Sequence, residues 1–431
     1  MRILFLGYIL CYTFLMHAQS EERVYRSTIH SVKLFRAGDQ TAPPVLYLGQ
    51  AEQLELHFDD LEATIRPYYY SLQLCNADWT PSPIPPFDYW KGFITQRIQN
   101  YRLSSGVQTR YIHYQTLLPE RNSGPTRGGN YLLKVFLNDD TSQLVFTRRV
   151  VVINRKVAVN AQVLQPFSGQ FFLTHQRLSI GINLQQMPLN TFTPQEIKVV
   201  VLQNDQWLSA RLLQRPSLFR GNYYEYSDEE QALFPAGQEW RWFDMRSLRL
   251  RGDRVARIID SDTSVRTDLY IQQDAERSGQ VYLYYRDLNG KYLIENIDNP
   301  LPHTQGEYGW VHFSLRPAGG RKYNGKDVFV TGEWSGYELS EPYKMEFDLS
   351  QGCYTKSVYL KQGFYNYGYL TRSSAAETNA LNGLNAPSFE NTEGNFWTTE
   401  NEYTVLVYFR PFGARADELI GYTRVRSGFQ R

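Results

Sequence analysis

Short runs in which apolar and polar residues alternate, each closed by Gly, Pro, Asn or Asp, recur almost throughout this chain. A period of two puts successive side chains on opposite faces of a pleated strand, so such runs make half-buried strands rather than helices. Ile29 to Phe35, Leu54 to Phe58 and Tyr68 to Cys75 read as strands in this way. The aromatic share of 15% points in the same direction, because Tyr, Phe and Trp fit the pleated surface well. No run of ten residues reads as a helix; Ala375 to Leu384 comes nearest and reads better as a loop. The expected fold class is all-β, a tandem of β-sandwiches.

The punctuation divides the chain. Residues 24–154 are expected to form one immunoglobulin-like sandwich, in which Tyr131 to Leu137 and Leu144 to Ile153 pair across the turn Asn138-Asp139-Asp140. The four prolines between Pro81 and Pro86 forbid a sheet ladder there and define a loop. A second sandwich is expected over 155–274, with Ile197 to Leu202 as a central strand covered on both faces because its apolar run is nearly continuous. A third is expected over 275–431. Its order is Asp327 to Thr331, a Gly332-Glu333-Trp334 turn, a hairpin near Tyr343 to Tyr354, and a strand through Gly363-Phe364-Tyr365. That order looks like the early-set sandwiches related to glycogen-binding modules.

The first eighteen residues are expected to be a signal peptide: Arg2, an apolar run to Met16, and Ala18 at the cut before Gln19. The run is too short to span a bilayer comfortably, and no later segment supplies about eighteen uninterrupted apolar residues. Cys11 does not read as a lipidation site, since bulky Leu10 precedes it and more apolar chain follows. Of 45 basic residues Arg2 leaves with the signal, so 44 face 44 acidic ones; that balance provides no basic stripe for nucleic acid. Cys75 and Cys353 fall in different expected sandwiches and read as two separate buried thiols.

Catalytic signatures are missing. The chain has no Gly-x-Ser-x-Gly, no His-Glu-x-x-His, no phosphate loop and no dinucleotide fingerprint. His30, His57, His113, His175, His303 and His312 lie singly, without zinc-ligand spacing, and read as structural. Asp59 and Asp60 diverge to opposite strand faces, so one is expected to cap the next turn rather than share a cation. Glu393, Glu400 and Glu402 near Trp397 could imitate a glycosidase pair, but such a pair needs carboxyls about 5 Å apart, which spacing alone does not establish. No catalytic, cofactor or metal residue is expected.

Candidate binding residues are more numerous. Trp79 and the loop carrying Ile84, Phe87, Tyr89 and Trp90 are rich in apolar groups; the loop is either an interaction surface or folded back over the sandwich edge. Arg148 and Arg149 alternate faces at a strand end. They suit either an ion pair holding the first two sandwiches together or a rim contact to a partner. Tyr365, Tyr367 and Tyr369 share one face and suit core packing or a carbohydrate platform equally.

One series of segments adds a specific resemblance. Ile29-His30-Ser31-Val32, Phe58-Asp59-Asp60-Leu61, Cys75-Asn76-Ala77-Asp78-Trp79, His113-Tyr114, Gly129-Asn130-Tyr131, Thr147-Arg148-Arg149, Leu360-Lys361-Gln362-Gly363 and Glu393-Gly394 follow one another in that order. The series resembles the type IX secretion system plug protein family of Bacteroidetes-type bacteria. The resemblance implies a non-enzymatic periplasmic protein at the inner face of the outer membrane. Its partner would be the large outer-membrane β-barrel translocon, whose pore it closes when no cargo is in transit; Trp79, Ile84, Phe87, Tyr89, Trp90, Arg148 and Arg149 are the expected contacts. The alternative reading is a periplasmic carbohydrate-binding sandwich that uses Trp334 or Tyr367 to meet a glycan.

Overall fold

A computed structural model describes residues 22–185, 187, 194–260, 266–374 and 387–428. The expected signal peptide and the Ala375 to Leu384 segment lie outside the described residues. Among the described residues the regular structure is nearly all strand, with single-turn helices only, as at Pro302–Gln305.

The first sandwich packs a four-stranded sheet, ordered Ile29–Arg36, Leu54–Asp60, Ile112–Leu118 and Asn100–Leu103, on a five-stranded one. The second sheet is centred on Leu144–Ile153, Gly129–Leu137 and Tyr68–Cys75. Alternation builds its core directly: Tyr68, Tyr70, Leu72 and Leu74 point inward and meet Leu54, Leu56 and Phe58 of the facing sheet.

The strand pairings group the remaining chain otherwise than the expected limits 155–274 and 275–431 do. Glu402–Phe409 and Glu418–Arg426 join Ile197–Gln203 and Gln206–Leu213 in one sheet of the second sandwich. The third sandwich starts by Arg241–Asp244, which pairs with Phe364–Ser373. The chain thus leaves the second sandwich, completes the third, and returns. Local punctuation cannot reveal such a return, because it marks where strands end and not which strands they join.

Ile197–Gln203 is covered on both faces as its composition requires. Val199 and Val201 enter the core of the second sandwich, while Val200 and Leu202, with Leu406, Tyr408 and Leu419 of the same sheet, face Val151, Ile153 and Ala77 of the first sandwich. Each fully buried aliphatic side chain of this kind contributes about 1.5–3 kcal/mol, against at most about 1 kcal/mol for an exposed ion pair, so apolar burial dominates this joint. The backbones also come close: a Cβ on Gly128 would stand 2.6 Å from the Leu419 carbonyl oxygen.

Cys75 and Cys353 are both buried, one at the end of a first-sandwich strand and one at the start of a third-sandwich strand.

Candidate functional site

The first and third sandwiches meet through polar groups. Asp59 ends the outward-alternating face of Leu54–Asp60 and is fully buried under the third sandwich. Its Oδ2 accepts from Lys361 Nζ at 2.6 Å and from the Tyr308 hydroxyl at 2.6 Å, and its Oδ1 faces His113 Nδ1 at 2.7 Å. Ser31 Oγ lies 2.7 Å from the Tyr308 hydroxyl and extends the network to the strand Ile29–Arg36. Burial by itself would push Asp59 up, but Lys361 and His113 hold its carboxyl well below the usual carboxylate range. Beside it, the Glu307 carboxylate accepts from the backbone N–H of Gln108 at 2.5 Å and of Thr109 at 3.1 Å, and Tyr111 donates to the Gly306 carbonyl at 2.8 Å. Asp60 turns the other way: its Oδ1 accepts from the Glu62 N–H at 3.1 Å and its Oδ2 from Tyr68 at 2.8 Å. The divergence expected of the pair, with one carboxylate capping the next turn, is what the strand geometry produces.

Three histidines that stand singly in the sequence gather here. His57 and His113 come from neighbouring strands, and His303 from the one-turn helix Pro302–Gln305; their ligand atoms all lie within 4.8 Å of one another. His303 lies flat over both others, with interplanar angles of 15° to His57 and 23° to His113. Imidazole binds a metal along in-plane lone pairs, so parallel stacked rings do not converge on one ion as zinc ligands do. The present geometry is that of a stacked, hydrogen-bonded cluster.

The first and second sandwiches are joined by another group of resemblance segments. Asn130 donates from Nδ2 to the Asn76 carbonyl at 3.0 Å and accepts at Oδ1 from the Tyr408 hydroxyl at 2.7 Å. Asp417, itself 3.0 Å from Lys198 Nζ, accepts from the Ala77 N–H at 2.9 Å. Trp79 takes a left-handed φ of 66°, which costs a bulky residue about 1–2 kcal/mol. Its ring meets Trp207 edge-on at 4.8 Å, and the Arg149 guanidinium lies 4.9 Å from the Trp79 ring and 5.4 Å from the Trp207 ring. These contacts offset the backbone strain. Arg149 therefore spans the first two sandwiches over the rings of Trp79 and Trp207. Arg148 donates to the Thr147 carbonyl at 2.8 Å and borders a cleft of about 1010 Å³ between all three sandwiches, which Trp79, Trp207, Tyr337 and Arg372 also line.

The Pro-rich loop is both folded back and exposed. Ile84 packs half-buried on the first core, and Tyr89 and Trp90 enter it. The Trp90 indole N–H donates to the Phe93 carbonyl at 2.9 Å and to Ser123 Oγ at 3.2 Å. Phe87, in the one-turn helix Pro86–Asp88, is 76% exposed, and Phe93, which alternation did not single out, is 82% exposed. Ile94 is exposed beside it. An apolar projection thus stands on a base pinned by two buried aromatics.

The residues that motivated sugar chemistry lie inside. Tyr365, Tyr367 and Tyr369 are buried, and Tyr367 and Tyr369 both donate to Asp274 Oδ2 at 2.7 Å. Trp334 stacks on Phe313 at 5.8 Å and donates to the Asn366 carbonyl at 3.0 Å. Tyr367 and Trp334 form core, not platform. Glu393 accepts from Arg241 Nε at 3.1 Å and from Arg277 Nε at 2.5 Å. Against the effect of burial, these two guanidiniums hold it down at about 2, so it is ionised and unsuited to donate a proton near neutrality. Glu402 is 2.7 Å from Arg424, and Glu400 accepts from Asn289 Nδ2 at 3.1 Å.

Comparison with known proteins agrees with this architecture. Residues 29–154, the first sandwich, match the model of the type 9 secretion system plug protein 1st domain. A crystal structure of a hypothetical protein from Parabacteroides merdae is similar over 94% of this chain and 99% of that one, with 31% identity and a TM-score of 0.86. No curated protein sequence matches.

Proposed function

Because the chain belongs to the type IX secretion system plug protein family, we propose that it is the periplasmic plug that seals the large outer-membrane β-barrel translocon from its inner face while no cargo is in transit. The match of residues 29–154 to the first plug domain carries this reading. On this reading the chain is exported behind its signal peptide, works in the periplasm at the inner face of the outer membrane, and performs no chemistry.

Covering a wide aqueous opening requires a body that does not flex between its parts. The two joints supply that stiffness: apolar burial between the first and second sandwiches, and a buried charge network between the first and third. The segments by which the chain resembles the family support the reading through their position. Ser31, Asp59, His113 and Lys361 meet at one joint, and Ala77, Asn130 and Arg149 at the other. Their shared task is to fix the relative orientation of the sandwiches. Contact with the barrel is assigned to the exposed rings of Phe87 and Phe93 with Ile94, since aromatic anchors on a rigid base carry interface energy without ordering cost. The chain carries nearly equal numbers of basic and acidic residues, which suits an interface that must open again.

The test is an affinity isolation of the tagged protein from gently solubilised envelopes of its source bacterium. The wild type is expected to bring down a barrel protein far larger than itself. Phe87→Asp/Phe93→Asp, with an unchanged circular dichroism spectrum, is expected to lose about tenfold or more of that yield, because two desolvated anchors become charged. Bait alone, from envelopes in which the translocon is intact, would end the plug reading; undiminished yield for the variant would move the contact elsewhere.

A further inference from the structure

The stacked histidines sit in a continuous chain of four titratable groups. Asp59 Oδ1 faces His113 Nδ1 at 2.7 Å, His113 Nε2 faces His57 Nδ1 at 2.9 Å, and His57 Nε2 faces Glu55 Oε1 at 2.9 Å. An ionised carboxylate can only accept, so each terminal contact needs a hydrogen on the ring nitrogen, and the contact between the rings needs one more. That makes three hydrogens on four ring nitrogens, whereas two neutral imidazoles carry two. The closed chain therefore holds one extra proton, shared by His57 and His113 and balanced by the carboxylates at its ends.

We propose that this shared proton latches the first sandwich to the third, so that the joint is closed with one extra proton on the histidine pair and opened by a second. With a second extra proton, His57 Nδ1 and His113 Nε2 would both be donors at hydrogen-bond distance, and the link would become repulsive. The link lies within the first sandwich, and the third rests on it through His303. His303 lies over both rings at centroid distances of 4.2 Å and 5.0 Å, and its own backbone carbonyl accepts from Lys361 Nζ at 2.6 Å. The Thr304 carbonyl accepts from the Ser105 N–H at 2.9 Å, and Glu307 holds the Gln108 and Thr109 amides. Pushing the imidazoles apart displaces the helix Pro302–Gln305, and with it these bonds across the joint.

The surroundings set the sign. Glu55 and Asp59 favour the first extra proton. Lys361, lying on Asp59 and 4.2 Å from the centre of the Tyr111 ring, opposes a second, and Tyr308 remains neutral on Asp59. Phe35, stacked on His57 at 5.6 Å, adds no charge; His30 and Glu307 stand further out around Asp59 and Lys361. Burial pushes His113 down despite Asp59, so the first extra proton rests on the hydrogen-bond geometry of the closed chain and any further charge is disfavoured. Burial, with His57, His113 and Lys361 nearby, pushes His303 down to about 2, so His303 serves as a neutral roof. The latch thus resists a second proton near neutrality and yields on acidification.

Hydrogen exchange of the full mature chain tests the inference. After correction for the intrinsic rate, protection of the Ser105, Gln108 and Thr109 amides is expected to fall about fivefold or more between about pH 7 and pH 5. His57→Gln is expected to show lower protection with no such step. Wild-type protection that does not change, or a step that survives in His57→Gln, overturns the proposal. Should the variant fail to fold, ring-nitrogen NMR of the wild type still decides. One pair of histidines sharing a proton near neutrality is expected, and two ordinary neutral rings in this pair would overturn it. Titration with zinc alone is the third arm. Stoichiometric tight binding lost in His303→Gln would assign the three rings to a metal and overturn the shared proton; no binding is expected.

Discussion

Asp59→Ala is expected to lower stability by about 3–5 kcal/mol, among the largest effects a single side chain can have here, because it strands a buried ammonium. Lys361 Nζ is buried with its charge directed at Asp59, and the Tyr308 hydroxyl and His113 Nδ1 lose the same acceptor. Asp59→Asn keeps the shape and part of the hydrogen bonding but removes the charge, so it should recover only a fraction of the loss. Asp59→Asn/Lys361→Met should cost less than the sum of the two single changes, since removing both charges leaves none unpaired. Urea midpoints and their slopes check this; a loss under about 1 kcal/mol for Asp59→Ala would mean that water or a neighbouring acid replaces the lost partner. The pH dependence has a definite sign. Asp59 is held below its unfolded value, so its contribution is complete above the unfolded carboxylate pKa of about 4 and is lost as pH falls below that. Wild type and Asp59→Asn should therefore converge in acid.

Glu393→Gln is expected to cost a similar amount, about 3–5 kcal/mol, but in the third sandwich and not at its joint with the first. Arg241 and Arg277 both direct Nε at this buried carboxylate, and the Tyr369 N–H donates to it at 3.1 Å. Without it, Asp274 alone faces Arg241 and Arg254, at 2.7 Å and 2.5 Å, and Arg277 loses its carboxylate. The glutamate is held at about 2 in the folded protein, so its contribution is present above about pH 4.3 and fades between there and about pH 2. The variant should lack that limb of the stability–pH curve. The two sites share no partners and belong to separate networks, so the losses of Asp59→Ala and Glu393→Gln should add; strong non-additivity would show that the two networks are energetically coupled.

Both variants also separate the architecture from the proposed contact. They should weaken the protein without touching the exposed Phe87 and Phe93 rings, whereas Phe87→Asp/Phe93→Asp should cut binding about tenfold or more with little change in stability.

The strand content, the turns and the doubly covered strand at Ile197–Gln203 were legible in the sequence because alternation and turn chemistry act over a few residues. The opposite facing of Asp59 and Asp60 was legible for the same reason. The buried anchoring of Trp90 and the exposure of Phe93 were not, since a period of two does not extend through a proline-rich loop. The grouping of Glu402–Phe409 with Ile197–Gln203 was not legible either, because a ladder chooses its partner by shape and hydrophobic fit across two hundred residues. Nor could spacing unite His57, His113 and His303, or bring Lys361 to Asp59. By itself the sequence determined a chain of pleated strands, the family resemblance and the residues that carry it. The tertiary structure decided that Ser31, Asp59, His113, Lys361, Ala77, Asn130 and Arg149 stand at the joints between sandwiches, because only packing brings a buried carboxylate and its counter-charge from distant parts of the chain to within hydrogen-bond distance.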